Sequence, residues 1–317
     1  MKTTKRSIKK AALIAAGISL MLTSFTGCFS FGSTYRNADK YSAGDLDYSG
    51  EITELDINWS SGSVNVSYYD GENVSVTESC KKDLSDAKKV HTWVDGKTLH
   101  IQFSKSGEAF VFEDYKKELE VKLPKDTKLS KVSYDGSSAD TVFDEIKAEE
   151  FDIDTSSGNV SLNSCEADEV TADTSSGNIT IDLTGDCDKI ITDASSGDVT
   201  VTAGEVKTAK FDSSSGKIKA DLKSVDELSG DSSSGNMTFK TGKTPSKMSL
   251  DTSSGDVTLY LPKDGDFTIE VDTSSGDFES ELSMSKKGDT YSYGSGDGRI
   301  SIDTSSGDIT IKQYSKD

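Results

Sequence analysis

The chain has 317 residues, 35 basic against 55 acidic side chains for a formal net charge of −20, 27 Gly, 3 Pro and 33% hydrophobic residues. Residues 1–27 hold five basic and no acidic side chains, so the remainder carries 30 − 55 = −25. Such a chain repels phosphate backbones and anionic headgroups, which argues against a nucleic-acid partner and against a basic membrane-surface role. Its apolar content suits a thin repetitive core rather than a thick globule.

The chain opens on an address label. Lys2, Lys5, Arg6, Lys9 and Lys10 precede an apolar run from Ala11 to about Leu22. That run is shorter than the roughly 20 residues of a spanning helix and fits the core of an export signal. Phe25-Thr26-Gly27-Cys28 then resembles the lipobox of bacterial lipoproteins, with Phe25 where that family prefers Leu. The resemblance implies cleavage after residue 27 and a diacylglycerol on the Cys28 thiol. That would hold the protein to the outer face of the bacterial cytoplasmic membrane. Residues 28–50, polar with scattered Gly, Asp and Asn, are expected to be a flexible tether. Cys80, Cys165 and Cys187 remain; an odd number leaves at least one thiol unpaired within the chain, and the spacing gives no metal or redox motif.

Residues 51–150 show alternating apolar segments at Val74-Ser75-Val76-Thr77, Leu99-His100-Ile101-Gln102-Phe103 and Leu119-Glu120-Val121-Lys122-Leu123. The stretch from Asp83 to Lys89 is the one candidate helix, a possible lid. Residues 151–312 carry a repeat. Asp-Thr-Ser-Ser-Gly-Asp/Asn or a near variant begins at Asp154, Asp173, Asp193, Asp212, Asp231, Asp251, Asp272 and Asp303, with spacings of 19, 20, 19, 19, 20, 21 and 31. A divergent copy begins at Asn58.

Aligned on that Asp, positions −3, −1, +6 and +8 are mostly apolar, as in Phe151, Ile153, Val160 and Leu162, with Thr, Ser, Lys, Asp and Glu between them. The inward positions change parity across the motif. A continuous strand cannot do this, because a one-residue slip turns every side chain to the other face. A corner must lie in Ser-Ser-Gly. Its glycines, Gly158, Gly177, Gly197, Gly216, Gly235, Gly255, Gly276 and Gly307, are expected at positive φ, with the Asp side chain capping the turn. The expected fold is all-β: a single-stranded, right-handed β-solenoid of 19–21-residue coils. Each coil would share its interior between two strands and stack on the next about 4.8 Å away. Residues 51–150 would be a degenerate cap, the insertion Ser283–Gly298 would cover or decorate the other end, and 313–317 would be a tail. A β-sandwich would not need near-identical turns every 20 residues.

The serial Thr-Ser-Ser-Gly-Asp-Val-Thr copies, the Leu-Pro-Lys-Asp echo at Leu123 and Leu261, and the closing Gly296-Asp297-Gly298 to Ile309 segment resemble the bacterial putative-adhesin family of unknown function. That resemblance covers about 50–312 and implies a β-solenoid at the cell surface with no catalytic residues. Some members are encoded with envelope-stress regulators.

No chemistry stands out along the chain. The Asp column invites calcium, but the column after Gly mixes Asn159, Asn178, Asp198, Lys217, Asn236, Asp256, Asp277 and Asp308, so no uniform carboxylate row forms and no metal site is expected. His91 and His100 lie in or near a strand with no partner motif and read as exposed. No phosphate loop, nucleophile elbow or Cys-His pairing occurs. Tyr68, Tyr69, Tyr115, Tyr291 and Tyr293 fall outside the inward columns, either as binding contacts or as covers for the solenoid ends. The expected protein is a lipid-anchored, non-catalytic surface module without cofactor, its partner an envelope protein or glycan. The alternatives are an accessory lipoprotein of an envelope-stress sensor and, less favoured, a glycan-active enzyme.

Overall fold

A computed structural model describes residues 34–108 and 116–315; Cys28, the leader and Tyr115 lie outside them. The described residues are all-β apart from two single 3₁₀ turns, Ala38–Lys40 and Asp86–Lys88. The second is all that forms within Asp83 to Lys89, so no helical lid is built there.

Parallel pairing stacks the repeats in register. Asp135 faces Asp154, Asp154 faces Asp173, and the column continues through Asp193, Asp212, Asp231 and Asp251. The inward columns are buried: Phe151, Val170 and Ile190 are 0% exposed, and Val160, Ile179 and Ile218 1%. Where one coil offers Phe239, the facing wall offers Gly230, whose missing side chain makes room for the ring. Interdigitation of this kind fills a narrow interior without voids.

Each coil has three walls rather than the expected two. In the strand Val160–Thr174 the buried positions run 160, 162, then 165, 167, then 170, 172, 174. Two further parity changes therefore follow the Ser-Ser-Gly corner, the first at Ser164 with φ of 51°. The third wall is built from short or small side chains such as Cys165, Ala167, Cys187, Val206 and Val225. Two of the thiols, Cys165 and Cys187, are thus buried wall residues outside any disulfide.

Stacking follows sequence order only in the middle. Asp251 faces Asp303, and Asp303 faces Asp272, so the last coil inserts between its two predecessors. The chain leaves the Phe267–Thr273 coil, turns through the hairpin Ser285–Lys287 and Thr290–Tyr293, and re-enters one level inward. The second hairpin strand pairs antiparallel with Phe267–Thr273 and covers that edge, as expected of the insertion. The N-terminal end repeats the manoeuvre. Strand Glu54–Tyr69 lies between Leu129–Asp144 on one side and the pair Thr98–Gln102 and Glu118–Pro124 on the other. Antiparallel strands His91–Asp95 and Val74–Ser79 then cover the outer edge.

Two expected boundaries move. Ser42–Ala43 and Leu46–Tyr48 pair with the cover strands, so part of the supposed tether belongs to the fold. Regular coils begin at Leu129 rather than 151. Asp135-Gly136-Ser137-Ser138-Ala139-Asp140 is a further copy of the repeat, hidden in the sequence because Ala139 stands where the others have glycine.

Candidate functional site

The corner is the most repeated feature of the surface, and three stacked ladders hold it. The first is glycine. None of Gly158, Gly177, Gly197, Gly216, Gly235, Gly255, Gly276 and Gly307 has positive φ, contrary to expectation; in the motif column only Gly62 does, at 94°. Glycine is required for a different reason. A Cβ on Gly197 would fall on the Gly177 carbonyl oxygen, and one on Gly216 on that of Gly197, far inside the 3.0 Å that real Cβ contacts respect. The constraint is close approach between coils, not an unusual dihedral.

The second ladder is hydroxyl. In five corners the Thr or Ser after the Asp accepts a hydrogen bond from the corner glycine, as in Gly177 N to Thr174 Oγ1 at 3.0 Å and Gly235 N to Ser232 Oγ at 2.9 Å. Thr and Ser therefore cap the turn, and the neighbouring Asp does not.

The third ladder follows the glycine. Asn159 Oδ1 accepts from Asn178 N at 2.9 Å, Asn178 Oδ1 from Asp198 N at 2.9 Å, and Asp198 Oδ1 from Lys217 N at 2.8 Å. The same bond recurs from Asp256 N to Asn236 and from Asp308 N to Asp256. Amide and carboxylate oxygens serve equally as acceptors, which explains the mixed Asn/Asp column. Lys217 has no acceptor to offer, and the ladder breaks there.

The Asp column itself lies open on one face. Burial, and then the Asp193 and Asp154 carboxylates, push Asp173 up to about 6. Burial is also the first cause of the upward shifts of Asp135, Asp193, Asp231 and Asp303, each reinforced by column neighbours. Lys210, 2.5 Å from Asp212, is a counter-charge in this row. A shallow groove runs along Asp193, Asp212, Asp231 and Asp251. Its carboxylates stand in file, one per coil, rather than converging on a point. Among the described residues no three of His, Cys, Asp and Glu are grouped to hold a metal ion.

The remaining candidates are mostly structural. Tyr291 stacks on Phe278 at 4.1 Å and Tyr293 on Phe267 at 5.2 Å, so both cover the C-terminal coil. Tyr68 donates to Thr127 O at 3.1 Å and accepts from Lys147 N at 3.2 Å, and Tyr69 donates to Asn73 O. His91, expected to be exposed, is 5% exposed and bonds Lys89 O through Nδ1. His100 is half-buried: its Nδ1 lies 2.6 Å from Asp56 Oδ2, and its ring stacks on Trp93 at 5.1 Å. Burial pushes the Cys165 thiol up to about 12 and Cys187 to about 11, which removes both as nucleophiles.

Sequence reading missed Lys117. It is 0% exposed, 2.5 Å from Glu78, with Nζ also donating to Lys88 O at 2.8 Å and to Phe103 O. The ammonium lies over the rings of Trp59 and Phe103. Three acceptors match its three protons. It plugs the N-terminal end of the interior at the level next to Gly62. Beside Lys116 in an acidic chain it looked like one more solvated lysine, and nothing local distinguished it.

The sequence pattern of the Toastrack DUF4097 family matches residues 52–312. No curated protein matches the sequence. Among solved structures, a Parabacteroides distasonis protein described as a putative lipid binding protein is similar at 20% identity and TM-score 0.53, over 86% of this chain and 97% of its own. A putative cell adhesion protein from Clostridium sporogenes aligns at 14% identity and TM-score 0.25, covering 87% and 100%. A putative adhesin from Bacteroides fragilis aligns at 16% and 0.40, covering 85% and 96%. The register of stacked coils and the family match agree over the same residues, and the chain belongs to the Toastrack DUF4097 family.

Proposed function

We propose that this chain is a non-catalytic, lipid-anchored β-solenoid of the bacterial cell surface. Its coils would wind right-handed, as parallel β-connections do, and it would act as an adhesion or interaction module. The observation that carries this reading is the repeated corner. Coil after coil, backbone and side-chain groups are used on one another, so the recurring residues of the motif, such as Gly197, Thr174 and Asn178, do structural work. What the stack leaves free is an open face of carboxylates in file. General acid–base chemistry needs groups in unlike environments that converge on one substrate atom; the column repeats one environment. The structures described as adhesins lend the surface role their names only.

Anchoring is the part to test first. Cells fed labelled fatty acid should label the protein through Cys28, and intact cells should expose it to added protease. Equal labelling after Cys28→Ser, or shielding from protease until lysis, would sink the reading.

A further inference from the structure

Net charge argues against an anionic membrane surface, yet the charge is not evenly spread. Three segments meet at the N-terminal end of the stack. Tyr35 N donates to Ser106 Oγ at 3.1 Å and Tyr35 Oη to Ser104 O at 3.0 Å, while Lys105 N donates to Ala87 O at 2.9 Å. Residues 34–41, 81–89 and 104–108 thus form one surface. They carry seven basic and four acidic side chains, +3, so the rest of the chain after residue 27 carries −25 − 3 = −28. Arg36, Lys40, Lys81, Lys82 and Lys105 are exposed. The same surface holds half-buried aromatics in contact: Tyr35 with Tyr41 at 4.7 Å and Tyr41 with Trp93 at 5.6 Å, with Lys40 Nζ 5.1 Å over the Trp93 ring.

We propose that this end face docks on anionic lipid headgroups, standing the stack on its N-terminal end with the acidic body directed away from the membrane. Three observations commit the surface to that occupant. Basic side chains attract an anionic bilayer within a Debye length of about 10 Å. Trp and Tyr prefer the boundary between headgroup and acyl chain. Chain length supplies the proximity. Tyr35 lies only seven positions after Cys28, a reach of at most about 25 Å, so an anchor at Cys28 presents this face to the bilayer at high effective concentration. The inference rests on the anchoring proposed above for its geometry. The body's −28 opposes any side-on approach and favours the upright one.

The two tryptophans make the test selective, because Trp59 is 0% exposed and Trp93 lies on the docking face. The chain from residue 28, with Cys28→Ser and an N-terminal histidine tag, is captured on vesicles holding a trace of nickel-chelating lipid. The vesicles are of brominated phosphatidylglycerol or brominated phosphatidylcholine. The bromines should quench Trp93 on phosphatidylglycerol and not on phosphatidylcholine, 0.5 M salt should reverse the effect, and Trp93→Phe should remove it. With each basic side chain near an anionic surface worth roughly fivefold, Lys81→Glu/Lys82→Glu/Lys105→Glu should weaken docking by about 100-fold or more. Unchanged Trp59 emission and melting temperature would show that this variant is folded. Absence of quenching on phosphatidylglycerol, equal quenching on both lipids, or full quenching in the triple variant would overturn the proposal. Because the tag replaces the natural anchor, a failure here is distinct from a failure of Cys28 lipidation, which fatty-acid labelling reads separately.

Discussion

The regular coils between Leu129 and Leu261 and the outer coils at either end solve different problems. In the middle, each side chain stacks on a near copy of itself, so the choice at a position is a choice about its own repetition. Gly197 touches Gly177 and Gly216, and Asn178 receives Asp198 after donating to Asn159. At the ends there is no further copy, and a bare parallel edge would recruit other chains. There the protein turns to antiparallel cover strands, stacked tyrosines and a buried ion pair, and at both ends the levels stack out of chain order: the first coil lies inside the second, and the last lies inside its predecessor. Repetition is economical but leaves little tolerance for substitution, whereas the ends use individual interactions.

Glycine substitutions separate the two solutions most sharply. Gly197→Ala should cost about 4 kcal/mol or more, because the methyl collides with backbone that cannot move without separating coils. Gly185→Ala, on a turn with nothing within 4 Å of the new methyl, should be near neutral. Denaturant melts of the two variants check this; equal losses would remove the close-approach argument. At the N-terminal end, Lys117→Met alone should cost about 3–5 kcal/mol by stranding Glu78. Pairing it with Glu78→Leu should recover most of that, as the pair is buried against Trp59 and Phe103. A double variant as unstable as the single would show that the pair contributes more than its own neutralisation.

The Asp column predicts an inverted acid response. Asp173 titrates at about 6 in the fold against an ordinary value near 3.8, so its ionised form is disfavoured by folding. That cost is absent below about 3.8, grows as pH rises to about 6 and is constant above it. The melting temperature should therefore rise by a few degrees between pH 7.5 and 4.5, and Asp173→Asn should flatten the profile while stabilising the protein at pH 7.5. A profile that falls on acidification would point to paired carboxylates instead. Sodium chloride should also stabilise by screening, and calcium no more than its ionic strength requires; a calcium-specific rise that a chelator reverses would overturn this. The smallest effect concerns the interrupted ladder. Lys217→Asn supplies the missing acceptor and should add about 1 kcal/mol, read as a shift in the denaturant midpoint.

Particular residues show how much was legible. The columns containing Phe151, Val160 and Ile190 could be read directly, since period-two alternation survives any rearrangement of coil order. The copy at Asp135 escaped because Ala139 replaces the signature glycine. The third wall escaped because Cys165, Ala167 and Cys187 are small, sparse and interrupted by a turn of variable length. Glycine was placed correctly at each corner and explained wrongly: a sequence shows that a side chain is missing, but both positive φ and a near neighbour require that, and the neighbour lies on an adjacent coil, at least 19 residues away along the chain. The surface at Trp93 and Tyr41 was invisible for the same reason, its members lying on segments joined only by folding.

The sequence by itself determined the secondary-structure type, the repeat length, the corner position and the buried columns, because these follow from local alternation and from spacing between like motifs. Tertiary structure alone decided that the last coil inserts between two earlier ones, that Lys117 seals the interior, and that an acidic chain carries one basic end. Each depends on which strand reaches an open edge and which charges are brought within a Debye length, and neither is a function of distance along the chain.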